Sequence, residues 1–196
     1  MVRYADDFVC CFQYEREAKI FYRSLTKRMA KFGLSISPEK SKIIEFGRFA
    51  AGHAKRRGKQ KPDTFDFLGF TYYCSESQNG KFRAKVKTSQ KKFRASLQRM
   101  KEWIRSNRTM PIKELVTKLR AKMLGHYHYY GITDNSKMLS QYWYQTTKLL
   151  FKWQNRRSQR NSYTWEKFML FIKRTQLPLP KIYGNIFERR PHIGYI

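Results

Sequence analysis

Positive charge is the sequence feature that most constrains how this chain can fold. Its 42 Lys and Arg residues outnumber its 14 Asp and Glu residues three to one, which gives a formal charge of +28 over 196 residues. Repulsion among so many cations destabilises a compact chain, and contact with a polyanion relieves it. A hydrophobic content of 41% and an aromatic content of 16% supply enough apolar surface for a core. The sequence therefore predicts a folded protein that binds nucleic acid.

An anionic membrane surface is the other polyanion that a basic protein can bind. The sequence contains no apolar run of about 18 residues, and its N-terminus lacks a basic-then-apolar signal pattern. Cys10 and Cys11 are adjacent and Cys74 is remote, so the cysteines predict small buried side chains rather than disulfides or a metal site. We expect a cytoplasmic protein associated with nucleic acid, and no membrane partner.

The charge is unevenly distributed along the chain. Residues 1–80 contain 15 basic and 9 acidic residues, whereas residues 81–196 contain 27 basic and only 5 acidic residues. This difference indicates two parts with different roles.

The first part has the pattern of a mixed α and β structure. Two β-prone runs flank Asp6-Asp7, which predicts a hairpin, and apolar residues at helical spacing predict a helix over about 15–32. The remaining predictions are a strand over Ser41–Phe46, a mobile basic loop over 47–62, an aromatic strand over Thr64–Tyr73 and a strand over Lys81–Lys87.

The second part has the apolar spacing of helices. Thr88 is predicted to cap a first helix containing Phe93, Leu97, Met100 and Ile104, and a second helix follows Pro111 and ends near Gly125. A third begins at Ser136, and a shorter one follows Thr164. Short loops join these helices, so we expect a small bundle.

Basic side chains cluster where the two parts meet. Nine Lys or Arg residues and no acid lie between Lys81 and Lys101, and alternation in the strand places its four basic residues on one face. Such a stripe neutralises phosphates without reading sequence, which suits structured RNA. The candidate nucleic-acid-binding residues are Lys81, Arg83, Lys85, Lys87, Lys91, Lys92, Arg94, Arg156 and Arg157.

Asp6 and Asp7 are the most distinctive candidates for chemistry. Two adjacent carboxylates at a hairpin tip repel each other, and a divalent metal compensates that repulsion. Mg²⁺ prefers one or two carboxylates together with substrate phosphates and water. The alternative interpretation is a solvated Asp-Asp turn.

The order of several motifs resembles the second half of a group II intron reverse transcriptase and maturase. The strings that carry the resemblance are Val2-Arg3-Tyr4-Ala5-Asp6-Asp7-Phe8, Phe32-Gly33-Leu34-Ser35-Ile36-Ser37-Pro38-Glu39-Lys40-Ser41-Lys42, Phe46-Gly47-Arg48, Phe65-Asp66-Phe67-Leu68-Gly69-Phe70, Gly125-His126-Tyr127-His128-Tyr129-Tyr130-Gly131 and Arg156-Arg157-Ser158-Gln159. They extend over nearly the whole chain.

The resemblance implies a role for each matched residue. Asp6 and Asp7 would bind the Mg²⁺ ions of a two-metal nucleotidyl transfer site, and Lys40 would protonate the pyrophosphate leaving group, although Lys40 also fits an ordinary solvated lysine. Phe67, Leu68, Gly69 and Phe70 would form the primer grip. A buried strand with a glycine bulge is compatible with that role. His126 and His128 do not share a helix face, so we expect packing or RNA contacts from them.

The fold implied is α+β followed by all-α. Residues 1–87 would form the end of a polymerase palm with the primer-grip hairpin, residues 88–175 a helical thumb or maturase domain, and residues 176–196 a C-terminal tail. The family's fingers and a further palm aspartate would precede Tyr4. We therefore expect an incomplete metal site and no polymerisation by this chain alone. No endonuclease extension is implied.

The resulting hypothesis is the C-terminal portion of a bacterial group II intron reverse transcriptase and maturase, an RNA-directed DNA polymerase of a mobile element. Its partners would be group II intron RNA, an RNA template with a DNA primer, and a separate N-terminal half. The alternative is a non-catalytic RNA-binding maturase or splicing cofactor, in which Asp6-Asp7 has no catalytic role.

Overall fold

The computed structural model describes residues 1–157 and 163–185; its strands all lie before residue 89, together with two helices, and the elements that follow are helices. The elements are β1 (Val2–Tyr4), β2 (Asp7–Val9), α1 (Glu15–Ala30), α2 (Ala50–Arg56), β3 (Phe65–Phe67), β4 (Phe70–Glu76), β5 (Phe82–Thr88), α3 (Gln90–Ser106), α4 (Ile112–Tyr130), α5 (Ser136–Gln154) and α6 (Trp165–Thr175). This order confirms the predicted α+β class.

The chain forms two compact units. Unit 1 comprises Met1–Lys85, and unit 2 begins at Val86. The boundary predicted after residue 87 therefore lies two residues beyond this division. Of the predicted tail, residues 186–196 lie outside the described part of the chain.

The first hairpin of unit 1 turns on Ala5 and Asp6. β1 and β2 are antiparallel, and Tyr4 pairs with Asp7. Ala5 has a φ of +52°, a backbone conformation that residues other than glycine rarely adopt. Asp7 is therefore the first residue of β2, and only one of the two carboxylates lies in the turn.

The second sheet has the strand order β3-β4-β5. Leu68 and Gly69 form the two-residue turn between β3 and β4, and both have positive φ, as a type I′ hairpin turn requires. The predicted continuous strand over Thr64–Tyr73 is therefore wrong, as is the glycine bulge, because the chain reverses direction at these two residues.

Two further predictions for unit 1 are wrong. Ser41–Phe46 is not part of a strand, and the segment 47–62 is not all loop, because it contains α2. Ala50 and Ala54 bury one face of this short helix. The carboxylate of Glu45 binds both His53 and Arg57 and so joins the helix to the preceding segment. The hydrogen bond with His53, and to a smaller extent that with Arg57, holds the pKa of Glu45 below its usual value.

Unit 2 is built around one apolar core to which all four of its helices contribute. The core residues include Phe93, Met100, Ile104, Leu115, Leu119, Met123, Tyr127, Leu139, Tyr142, Leu150, Phe168 and Ile172. None of the described Lys, Arg, Asp or Glu residues is buried. The helical spacing in the sequence is thus confirmed, and the charges remain at the margins of the core.

The start of α3 corrects the predicted cap. Ser89, not Thr88, is the N-cap, and its Oγ accepts a hydrogen bond from the backbone N–H of Lys92 at 3.4 Å. Thr88 is fully buried instead. Its N–H donates to Oδ1 of Asn135 at 2.8 Å, and Nδ2 of Asn135 donates to Oγ1 of Thr88 and to the carbonyl of Tyr130. This buried amide fixes the loop between α4 and α5 against the end of β5.

The second predicted helix extends beyond its predicted end. α4 continues past Gly125 to Tyr130, which buries His126 and Tyr127. The helix ends at Gly131, against which residues 181–184 pack. The backbone N–H groups of Tyr183 and Gly184 donate to the carbonyl of Gly131 at 2.6 and 2.9 Å. A methyl group on Gly131 would lie 2.2 Å from the carbonyl oxygen of Tyr127 and 2.7 Å from that of Lys181.

The two glycines that flank this aromatic string form a matched pair for mutation. We expect Gly131→Ala to lower the free energy of unfolding by about 1–3 kcal/mol, because the added methyl group overlaps two backbone oxygens that cannot move independently. A Cβ on Gly125 would contact nothing within 4 Å, so Gly125→Ala should raise stability by up to ~1 kcal/mol through helix propensity. Urea unfolding measures both. Equal effects of the two substitutions would contradict the observed packing at Gly131.

Candidate nucleic-acid interface and metal site

The carboxylates of Asp6 and Asp7 lie at the exposed tip of the first hairpin. Both residues are exposed. The turn is supported by Nε of Arg3, which donates to the carbonyl of Ala5 at 2.8 Å. Over residues 1–157 and 163–185, no three His, Cys, Asp or Glu side chains come together as a group that could hold a metal ion. The hairpin thus presents a pair of hard oxygen donors without a third protein ligand in the described structure.

Lys40 lies in the turn that follows Pro38. Its side chain is exposed, and its backbone N–H donates to the carbonyl of Ser37 at 3.3 Å. No described carboxylate forms an ion pair with it. The structure therefore does not join Lys40 to the Asp6-Asp7 pair, and its role as a proton donor stays a prediction.

The predicted primer grip forms the tip of the β3–β4 hairpin. Phe67 pairs with Phe70 across the Leu68-Gly69 turn, and Phe70 is buried. Behind the tip, Phe65 stacks on Tyr72 with ring centroids 5.0 Å apart, and Phe46 meets the edge of Phe65 at 5.3 Å. This aromatic packing supports the hairpin behind its two-residue turn. Its role in holding a primer stays a prediction.

The predicted basic stripe does not form one uniform surface. In β5, Arg83, Lys85 and Lys87 are half-buried, whereas Lys81 before the strand is exposed. The candidates on α3, Lys91, Lys92 and Arg94, are all exposed. Consecutive positions on a helix point in different directions, so Lys91 and Lys92 do not face the same ligand.

The candidates at the end of α5 have defined contacts. The guanidinium group of Arg157 donates to Oε1 of Gln154 at 3.2 Å and to the carbonyl of Thr109 at 3.4 Å. The guanidinium of Arg156 lies 5.8 Å from the ring centroid of Trp153. Ser158 and Gln159, which complete the same sequence motif, lie outside the described residues.

Three further cations surround Trp153 and are not among the residues predicted from the sequence. The charged groups of Arg105, Arg108 and Lys152 lie 5.8, 5.9 and 5.8 Å from its ring centroid. Arg105 and Arg108 belong to α3 and the loop after it, whereas Lys152 is on α5. The sequence shows that Arg105 and Arg108 are three residues apart and that Lys152 and Arg156 are four apart. Only the tertiary structure shows that these cations converge on one indole.

His126 and His128 both make packing contacts. His126 is buried and stacks on Tyr142 with ring centroids 3.6 Å apart, and its Nδ1 lies 3.2 Å from Oγ of Ser96. Burial, with a smaller contribution from the charge of Arg99, lowers the pKa of His126 to about 4. His128 is exposed and stacks on Tyr183 at 4.2 Å. A role for these residues in RNA contacts stays a prediction.

Comparison with protein families identifies two matches along the chain. Residues 1–72 match the family model for reverse transcriptase, an RNA-dependent DNA polymerase. Residues 91–170 match the model for the group II intron maturase-specific domain. The first match covers both hairpin tips, and the second covers nearly all of the four helices of unit 2. Comparison with curated proteins and with solved structures gives no significant match.

The helices can also be compared with membrane-spanning segments by their length and hydropathy. Among the described residues, no helix combines the length and the apolar character needed to cross a bilayer.

The buried imidazole of His126 predicts a pH-dependent stability. Its pKa of about 4 in the folded state lies below the ordinary 6.5, so the unfolded chain binds this proton more tightly. The resulting stability is present above pH 6.5 and is lost as the pH falls towards 4. At ~1.4 kcal/mol per pKa unit, the loss is roughly 3 kcal/mol at most.

We expect His126→Gln, which cannot take up the proton, to flatten this part of the stability profile, as measured by urea unfolding between pH 7 and pH 4. His128→Gln, on the exposed face of the same helix, is the control and should leave the profile unchanged. The same steep loss in both variants would show that other groups cause it.

Proposed function

Because the chain combines a reverse transcriptase domain with a maturase-specific domain and so belongs to the group II intron reverse transcriptase and maturase family, we propose that it binds group II intron RNA through unit 2. In unit 1 it would present a metal-binding hairpin and a primer grip to an RNA template with a DNA primer. The observation that carries this proposal is the maturase-specific match on the part of the chain with the greatest excess of positive charge.

The arrangement of unit 2 supports RNA binding. Its core is apolar and aromatic, and none of its described Lys and Arg residues is buried. Each phosphate that such a cation neutralises releases a counterion, which gives affinity without sequence discrimination. The repulsion within a unit that carries 27 basic and 5 acidic residues from position 81 onward is relieved in the same step.

The carboxylate pair fits part of a magnesium site. Reverse transcriptases generally use Mg²⁺, and adjacent exposed carboxylates supply the hard oxygen donors that this ion prefers. Asp6 and Asp7 would hold it, and the bound ion would activate the primer hydroxyl and neutralise charge on the leaving pyrophosphate. Lys40 would donate a proton to that pyrophosphate. With only two carboxylates at the tip, binding through this hairpin alone would be weak.

Exposed apolar side chains on unit 1 support a protein partner. No residue of α1 is buried, and Ile20 of this helix is 51% exposed. Tyr4 in the hairpin and Phe32 after α1 are 65% and 71% exposed. We propose that this surface packs against a polypeptide that carries the fingers and a further metal-binding aspartate.

A second function, that of a non-catalytic splicing cofactor, is favoured by one observation. The Asp6-Asp7 pair has no third ligand among the described residues, whereas the described helices of unit 2 share one buried apolar core. In that case RNA binding would be the whole biochemical activity, and the hairpin would serve only as structure.

Binding and polymerisation by the purified 196-residue chain distinguish these proposals. We expect the chain to bind a transcribed group II intron RNA with an affinity that falls steeply as salt rises, and to incorporate no nucleotide on an RNA template with a DNA primer in Mg²⁺. Asp6→Asn with Asp7→Asn should leave RNA affinity within about twofold, because binding depends on phosphate neutralisation. Filter binding and primer extension measure the two activities.

Template-dependent incorporation by the purified chain would contradict the proposal that its metal site is incomplete. A loss of RNA affinity in the double Asn variant would show that the hairpin, and not unit 2 alone, holds the RNA. If a polypeptide with fingers and a further aspartate restores incorporation, and the double Asn variant abolishes it, the splicing-cofactor alternative is excluded.

A further inference from the structure

We infer that the seam between α3 and α5 is the surface on which unit 2 holds an RNA strand, with its phosphates against the cations of two rows of side chains, one on each helix. This inference rests on the proposed RNA-binding function and assigns it to a specific site. The site shares Arg94, Lys101 and Arg156 with the basic residues that the sequence indicated, and it excludes those of β5.

The first row runs along α3 and into the loop that follows it. Arg94, Gln98, Lys101, Arg105 and Arg108 succeed one another at steps of four and three residues, which places those within the helix on one face. From Arg94 to Arg105 the row extends about 16 Å, at 1.5 Å per residue. A row of this length can contact several successive phosphates of one strand.

The second row runs along α5 with the same spacing. Gln145, Leu149, Lys152 and Arg156 are four, three and four residues apart, so they too share one side of their segment.

Side chains of the two rows lie together at both ends of the seam. At one end, residues of both helices line a depression of about 240 Å³; they are Arg94, Leu97, Gln98, Lys101, Gln145 and Leu149. Its floor is apolar, its margins carry two cations, and the two amides offer hydrogen-bond donors and acceptors. A single unpaired base fits this chemistry, because it has an apolar face and polar edges.

At the other end, four cations surround the indole of Trp153. The charged groups of Arg105, Arg108, Lys152 and Arg156 all lie 5.8–5.9 Å from its ring centroid. The face of an aromatic ring attracts cations, so Trp153 positions these groups close together despite their mutual repulsion. Four convergent cations form a strong site for the phosphates of a nucleic-acid backbone.

Little negative charge offsets this concentration of cations. In residues 1–157 and 163–185, none of the six cations of the two rows forms an ion pair with a carboxylate. Glu102 lies beside the α3 row, where its Oε1 accepts a hydrogen bond from Gln98 at 2.6 Å. Elsewhere, exposed lysines do pair with acids, as Lys118 does with Glu114. The unpaired positive charge of the seam therefore favours a polyanion as its ligand.

A charge-matched pair of variants tests this assignment in the full 196-residue chain. The seam variant combines Arg105→Gln, Arg108→Gln, Lys152→Gln and Arg156→Gln. The control combines Lys113→Gln, Lys137→Gln, Lys167→Gln and Lys173→Gln, four exposed lysines of α4, α5 and α6 that lie outside the seam. Both variants lose four positive charges. Circular dichroism melting checks that each is folded.

The readout is affinity for a labelled, transcribed group II intron RNA and for a DNA duplex of equal length, over 50–200 mM salt. We expect the seam variant to bind the RNA at least tenfold more weakly than the native chain. Its plot of log K against log salt should be shallower by about three, because each phosphate that is no longer neutralised reduces the slope by ~0.7–0.9. The control should stay within threefold of the native affinity and keep the native slope.

Equal losses of RNA affinity in the two variants, or an unchanged affinity of the seam variant, would overturn the assignment of RNA binding to the seam. RNA binding by the chain would remain established. Failure of the native chain to bind the RNA would overturn the proposed function itself. Binding of duplex DNA as tight as that of RNA, with the same loss in the seam variant, would overturn the assignment to RNA. If the seam variant does not fold, Arg94→Gln with Lys101→Gln, both exposed and at the opposite end of the seam, tests the same prediction.

Discussion

The packing of α3 against α5 is the interaction on which the rest of unit 2 depends. Phe93, Met100 and Ile104 of α3 and Tyr142 and Leu150 of α5 belong to one buried cluster. Because a helix that buries one stripe must expose the residues beside it, this contact also brings together the cations next to each stripe. The apolar core therefore supplies the stability that holds like charges close together, and the RNA site forms at the margin of that core.

The same packing explains which features the sequence predicts and which it does not. Apolar spacing identifies the four helices of unit 2, because each buries one face. It does not show that α4 continues through Gly125: one glycine in a helix costs about 1 kcal/mol, which burial of His126 and Tyr127 offsets. In unit 1, aromatic residues flank the turn at Leu68-Gly69 on both sides and resemble one strand, so the sequence pattern does not predict this turn. The convergence of Arg105, Arg108 and Lys152 on Trp153 depends on which helices are neighbours, and spacing along the chain carries no such information.

The two units divide the chemistry of this family member. The described helices of unit 2 share one buried apolar core, and this unit carries a large excess of cations, which favours a polyanion as its ligand. Unit 1 carries exposed apolar side chains and two adjacent carboxylates. Two carboxylates are insufficient for a two-metal reaction without further ligands. In this account intron RNA binding is a property of unit 2, and nucleotide transfer requires metal ligands beyond the Asp6-Asp7 pair. The Asp6-Asp7 pair stands out because acidic residues are scarce in this chain. The plentiful basic residues carry the proposed RNA binding.

Residue-level lysine footprinting of the full chain, with and without a transcribed group II intron RNA, tests this account most directly. An acylating reagent modifies exposed lysines, and mass spectrometry compares their reactivity in the two states. The account predicts that RNA protects Lys101 and Lys152 in the seam and leaves Lys113 and Lys167 on other faces, and Lys40 in unit 1, as reactive as before. Protection of Lys40, Lys113 and Lys167 with unchanged reactivity at Lys101 and Lys152 would contradict it.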